Sequence, residues 1–167
     1  MSKTGIFYGS STGNTESVAK RIAAKLGVAS GDIHDIGVAA STGKLRDYDI
    51  LLLGSSTWGI GDLQDDWEGA LNSLPAAVAG KKVALFGCGD SASYPDSFCS
   101  AVGKLYAAVK DHATVVGFTD TAGYAFDGSE ALVDDRFAGL LIDEDNESNL
   151  TEQRIEQWTE QLGKTNS

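Results

Sequence analysis

Six consecutive residues, Ser10-Ser11-Thr12-Gly13-Asn14-Thr15, separate a short apolar run from a segment of helical periodicity. Backbone N–H groups around Gly13, the positive end of a helix dipole and four hydroxyls make such a loop a cradle for a phosphate. No Lys or Arg occurs between Gly5 and Ala19. Triphosphate-binding loops end in Gly-Lys-[Ser/Thr] and use that lysine on the outer phosphates, so a nucleoside triphosphate fits this loop poorly and one phosphate monoester suits it. Taken alone, the segment equally suits an ordinary Ser- or Thr-capped helix.

Two further loops carry residues of a recognisable chemistry. After Leu53 the chain reads Gly54-Ser55-Ser56-Thr57-Trp58-Gly59-Ile60-Gly61-Asp62, and after Phe86 it reads Gly87-Cys88-Gly89-Asp90-Ser91-Ala92-Ser93-Tyr94-Pro95. A tryptophan between glycines on an exposed loop leaves a large apolar face in water unless it covers something. Trp58 and Tyr94 on neighbouring loops are suited to sandwiching a flat ring system, with core filling as the alternative for either ring alone.

The elements that must position these loops follow from the hydrophobic pattern. Strand-like runs at Gly5–Gly9, Asp32–Ile36, Tyr48–Gly54, Val83–Gly87 and Thr114–Phe118 alternate with helix-period segments at 14–26, 64–74, 97–110 and 151–162. Val18, Ile22 and Leu26 fall on one helical face, as do Ile155, Trp158 and Leu162, with Thr151 as the expected cap of the last helix. Alternation of this kind predicts an α/β domain around a doubly wound parallel sheet, whose ligands sit beyond the carboxyl ends of the strands. About thirty residues, Thr119 to Leu150, interrupt the end of the pattern. Ala138–Ile142 is expected to resume the sheet after that excursion.

The 167 residues suit one domain spanning 1–167, with Gly163–Ser167 as a flexible polar tail. The apolar runs are strand-sized and no secretory leader is recognisable, which predicts a cytoplasmic protein without a membrane span. Cys88 and Cys99 are too few for a disulfide scaffold and lack metal-ligand spacing, so free thiols and no metal are expected. His34 and His112 read as surface or loop histidines. Net charge is −11, from 24 acidic against 13 basic residues. Nucleic acid is a poor partner for such a surface. Acids gather at Asp62, Asp65, Asp66 and Glu68, at Asp134 and Asp135, and at Asp143, Glu144, Asp145 and Glu147. These clusters suit either plain solvation or a partner with a basic face.

Ser-Ser-Thr-Gly-Asn-Thr after a first strand, Thr57 to Gln64 after a third, and Phe86 to Asp90 with Tyr94 after a fourth together resemble flavodoxins. Gly123-Tyr124 and the run Leu140 to Asn146 are similar to the insertion of the long-chain branch. The resemblance implies a flavodoxin-like five-stranded sheet of order 2-1-3-4-5 with an interrupted fifth strand, binding FMN without a covalent bond. Ser10, Ser11, Thr12, Gly13, Asn14 and Thr15 would hold the 5′-phosphate, and Trp58 and Tyr94 would stack on the two faces of the isoalloxazine. Thr57, Gly89, Asp90 and groups at Cys88, Ser97 and Cys99 would meet the pyrimidine edge and neighbouring ribityl. Cys88, Ser97 and Cys99 depart from the Thr, Asn and Gln that many long-chain relatives carry, so backbone contacts are expected there. Asp145 matches the acidic residue near the ribityl hydroxyls.

Function follows from charge in this reading. A phosphate dianion held without a cation, and acidic clusters nearby, resist further negative charge on the flavin. The expectation is a low-potential one-electron carrier rather than an enzyme, cycling between neutral semiquinone and hydroquinone. The Gly59-Ile60 peptide would turn over to accept a hydrogen bond from flavin N5, helped by glycine's tolerance of positive φ. Its partners would be reductases and electron acceptors with basic docking faces, met by a monomer. An FMN-dependent quinone or flavin reductase of the same fold is the alternative. A phospho-receiver is a third class, but it needs an acidic cluster after the first strand and an aspartate after the third, where Ser10–Thr15 and Gly54–Ser56 stand.

Overall fold

The computed structural model describes residues 3–9, 14–36, 41–58, 62–63, 67, 74–89, 99–121, 124, 129, 131–133 and 136–165. Five parallel segments build the central sheet. They are β1 (Thr4–Gly9), β2 (Ile33–Asp35), β3 (Ile50–Trp58) and β5 (Lys82–Cys88), and a last strand made of β6 (Thr114–Val116) and β10 (Leu140–Ile142). β4 (Asp62–Leu63) is a short antiparallel partner of the end of β3. β1 lies between β2 and β3, and β3 lies between β1 and β5. β6 pairs with the first half of β5, from Lys82↔Thr114 to Ala84↔Val116, and β10 pairs with the second half, from Leu140↔Phe86 to Ile142↔Cys88. The order is therefore 2-1-3-4-5 with the fifth strand split opposite Leu85, as the sequence predicts.

Strand residues of alternating parity face opposite ways, and two apolar clusters result. Phe7, Leu51, Leu53, Val83, Leu85 and Leu141 face one layer. Its helices are α3 (Leu74–Val78), contributing Leu74 and Val78, and α4 (Ser100–Val109), contributing Val102, Leu105 and Val109. Ile6, Leu52, Ala84, Phe86, Leu140 and Ile142 face the other layer. There α1 (Asn14–Leu26) supplies Val18 and Ile22, and α5 (Glu144–Thr165) supplies Ile155, Trp158 and Leu162. A four-residue helix, α2 (Ser41–Lys44), precedes β3. Among the described residues, no helix is long and apolar enough to cross a membrane.

The interruption is a small antiparallel sheet of its own, β7 (Thr119–Asp120), β8 (Leu132–Val133) and β9 (Arg136–Phe137) in the order β7-β9-β8. The chain leaves β6 through Gly117, whose φ of +81° is a left-handed turn. It returns through Gly139, where a Cβ would run into the backbone carbonyl of Leu85. Thr119 Oγ1 donates to the Gly139 carbonyl and the Tyr124 hydroxyl donates to the Leu141 carbonyl, both at 2.6 Å, along the outer edge of the resumed strand.

Five sequence expectations are corrected. The third strand runs on to Trp58 instead of stopping at Gly54, because β5 continues the ladder to Ser56↔Cys88 and Thr57-Trp58 then pair with β4. The last helix is preceded by a helical turn from Glu144, broken at Glu147 (φ −132°, ψ 37°), where the Asp143 carbonyl accepts the Glu147 N–H at 2.8 Å. Thr151 is consequently an interior helical residue with its side chain buried, not a cap. His34 is a half-buried β2 residue rather than a surface one: its ring lies 4.8 Å from that of Phe7 and its Nε2 is 2.7 Å from the Tyr48 hydroxyl. Asp143 is fully buried and so leaves the acidic surface with which it was grouped. The expected helix over 64–74 falls mostly outside the described residues, though Trp67 is helical, buried, and donates its indole N–H to the Gly54 carbonyl.

Candidate functional site

All the parallel strands present their carboxyl ends at one edge. β1 ends there at Gly9, and α1 starts at Asn14. Thr15, in the first turn of α1, is completely buried. The first turn of a thirteen-residue helix directs its unbonded N–H groups and the positive end of its dipole toward this edge. The neighbouring strand, β3, reaches the same edge with Thr57 and Trp58, whose backbones form a hairpin with Asp62–Leu63. β5 reaches it with Cys88 and Gly89, and β10 with Ile142 and Asp143.

Beyond the last ladder pair the ends of β5 and β10 remain tied, because the Gly89 N–H donates to the Ile142 carbonyl at 3.0 Å. Cys99 adds a second clamp. It adopts a left-handed conformation (φ 50°) just ahead of α4, and its Sγ lies 3.9 Å from the Gly87 carbonyl and 3.8 Å from that of Ile142. Complete burial pushes the Cys99 thiol well above its ordinary pKa, and the neighbouring Cys88 and Asp143 push the same way. A thiol held in that state is a packing group, not a nucleophile.

The structure brings Thr15, Cys88, Gly89 and Cys99 to the strand-end edge, together with the backbones of Asn14, Thr57, Trp58 and Asp145. Ser10, Ser11, Thr12, Gly13, Gly59, Ile60, Asp90, Tyr94 and Ser97 lie outside the described residues. The edge fits a phosphate-bearing planar ligand on two counts. The N-terminus of a long helix points at it, and β3 and β5, after which the chain carries Trp58 and Tyr94, are adjacent and in register there. A cleft of about 450 Å³ opens elsewhere, between α5 and the insertion, beside Asp120, Tyr124, Gln153, Arg154 and Gln157.

Beside that cleft lies a set of contacts that the sequence reading does not contain. Arg154 Nη1 donates to Glu147 Oε1 at 3.2 Å, and the Arg154 guanidinium lies 3.8 Å from the centroid of the Tyr124 ring. Burial raises the Tyr124 phenol above its ordinary pKa, so it stays a hydrogen-bond donor at physiological pH. The seven-residue spacing of Glu147 and Arg154, two helical turns, was the available signal. The expected start at Thr151 leaves Glu147 outside the helix and hides that spacing.

Comparison with known proteins bears on the whole of this arrangement. The family model described as Flavodoxin matches residues 6–158. Flavodoxin 1 of Escherichia coli K12 is 47% identical over 165 residues, covering 97% of this chain and 93% of its own. The flavodoxin of Nostoc sp. PCC 7120 is 44% identical over 162 residues, covering 96% and 95%. Among solved structures, that of Fusobacterium nucleatum flavodoxin bound to flavin mononucleotide superposes with a TM-score of 0.88 at 30% identity, over 99% of each chain.

Proposed function

The chain belongs to the flavodoxin family, and from that premise we propose that it binds FMN at the strand-end edge and carries single electrons between larger redox proteins. The observation that carries the reading is the convergence of the end of β1, the start of α1, the end of β3 at Trp58 and the end of β5 at Cys88–Gly89 on one edge. FMN supplies the redox chemistry, passing between neutral semiquinone and hydroquinone at low potential.

The protein's own residues do the rest. Ser10 to Thr15 hold the phosphate with N–H and hydroxyl donors and no cation. Trp58 and Tyr94 exclude water from the ring faces, which also denies hydride access and sets this protein apart from a reductase. Thr57, Gly89, Asp90 and groups at Cys88, Ser97 and Cys99 orient the ring edge, and Asp145 meets the ribityl chain. The Gly59-Ile60 peptide offers its carbonyl to the N5 proton. The acidic rim from Asp62 to Glu68 steers partners with basic faces into brief encounters, as a carrier that must dissociate quickly requires. The free, buried thiols suit a cytoplasmic monomer.

Visible spectra during stepwise anaerobic reduction of the FMN-loaded protein test the reading. A yellow protein that turns blue and then bleaches supports it. Direct bleaching keeps FMN but favours a two-electron enzyme, and no uptake of added FMN refutes the cofactor assignment.

A further inference from the structure

The turn from Ile142 to Glu147 joins β10 to α5 and carries Asp145. Its backbone is not continuous helix. Glu147 sits at φ −132° and ψ 37°, so the turn at 144–146 is offset from the straight helix that follows. The Glu147 N–H still bonds to the Asp143 carbonyl at 2.8 Å, and beyond that bond the segment ahead of the break is held by side chains. The structure provides one from each side. On the strand side the Tyr124 hydroxyl holds the Leu141 carbonyl. On the helix side Arg154, two turns beyond the break, reaches back to the Glu147 carboxylate at 3.2 Å.

These two anchors are themselves joined, because the Arg154 guanidinium stacks over the Tyr124 ring at 3.8 Å. That ring is held in turn by edge-on packing against Phe137 of β9, centroid to centroid 5.0 Å. The Arg154 side chain is 11% exposed and that of Glu147 is 23% exposed, so the pair is far less screened than a surface ion pair. A planar guanidinium can stack and donate at once, which an ammonium cannot reproduce.

We infer that Arg154 is a positioning residue for the flavin: through Glu147 and Tyr124 it braces the Ile142–Glu147 turn against the insertion and sets the affinity for FMN. It acts through Asp145, and so rests on the proposed contact between Asp145 and the ribityl hydroxyls. The long insertion, in this view, is coupled to cofactor retention as well as to the sheet edge.

Titration of the apoprotein with FMN, followed by quenching of flavin fluorescence, tests this in the variants Arg154→Met, Arg154→Lys, Asp145→Asn and the Arg154→Met/Asp145→Asn pair. Parallel urea unfolding of each apoprotein reports the purely structural effect. Arg154→Met is expected to bind FMN roughly tenfold more weakly, as substitutions behind a ligand-holding group do. Arg154→Lys is expected to fall between it and the parent, and the double variant to bind no more weakly than the weaker single one. A lowered urea midpoint with unchanged FMN affinity would overturn the inference, as would additivity in the double variant. Parent-like affinity in Asp145→Asn would instead remove the ribityl contact beneath it. If Arg154→Met does not fold, Arg154→Lys and Glu147→Gln carry the same comparison.

Discussion

Cys88 and Cys99 sit on opposite faces of the sheet. Cys88 packs with Phe86 and Ile142 in the layer of α1 and α5, whereas Cys99 packs with Val102 and Leu141 in the layer of α4. The end of β5 stands between the two sulfurs. Both thiols are buried, Cys99 completely and Cys88 at 5% exposure. An intramolecular disulfide would require the strand to be displaced, since bridged Cα atoms lie within about 7 Å with their Cβ vectors converging. Treatment of the native protein with a mild thiol oxidant is therefore expected to leave both thiols unpaired. Titration with a chromogenic disulfide reagent should find them unreactive in buffer and both reactive in urea, and a native mass lower by two hydrogens would contradict this.

Gly117 links the sheet to the last helix. Its carbonyl accepts the Trp158 indole N–H at 2.8 Å, its φ is +81°, and a Cβ there would stand 2.9 Å from Trp158 Nε1 and 3.1 Å from Leu162 Cδ2. Strain and crowding act in the same direction. Gly117→Ala should lose about 1–3 kcal/mol of stability, read as a lower urea midpoint with an unchanged slope.

A buried hydroxyl gives the opposite prediction. Thr151 Oγ1, in the interior of α5, is inaccessible to solvent and among the described residues finds no hydrogen-bond partner. Valine has the same shape and similar helix propensity without the group that must be desolvated. Thr151→Val is expected to raise stability by about 1 kcal/mol, and a fall in the thermal midpoint would show that the hydroxyl is satisfied in solution.

The Asp32, His34 and Tyr48 cluster predicts a pH dependence. The Tyr48 hydroxyl donates to Asp32 Oδ1 at 3.0 Å and lies 2.7 Å from His34 Nε2. Burial and the bond to Asp32 push the Tyr48 phenol up to about 12, so it remains protonated. Burial lowers the pKa of His34, and Lys44 and Lys3 act in the same sense, against the opposing charges of Asp32 and Asp47. The unfolded chain thus binds the proton more readily than the folded one. This site's contribution is fully present above pH 6.5, the ordinary histidine value, and is lost as pH falls through the lower folded value. His34→Gln should flatten stability against pH in that window relative to the parent, and an identical slope would show that His34 does not contribute.

How much was legible follows from what each residue depends on. The strands and the return of the chain to the sheet were readable because Ile50 to Leu53, Val83 to Phe86 and Leu140 to Ile142 are local apolar runs whose length and punctuation decide their state, whereas the strand order came with the resemblance to flavodoxins. The start of the last helix was not, because Thr151 makes a plausible cap and only the buried Asp143, with its carbonyl bonded to Glu147, reveals an earlier start. The role of His34 was hidden for a similar reason. It depends on Phe7 and Tyr48, which stand far from it in sequence and come beside it only once β1, β2 and β3 are assembled. The brace from Arg154 to Tyr124 joins a helix to an insertion, and no short-range pattern encodes such a pairing.

The two hydroxyls that the insertion places on the Gly139 and Leu141 carbonyls have a consequence for encounters between copies of the protein. An exposed sheet margin invites the strand of another molecule to add itself, and proteins blunt such margins with covers or short strands. Here one margin is only three residues long, at β2, and the other has the Gly139 and Leu141 carbonyls beside β10 occupied from within. An incoming strand would first have to evict Thr119 and Tyr124. A shortened chain lacking residues 119–137 would present those carbonyls bare, and would need a new cover for them before it could remain as indifferent to its own kind.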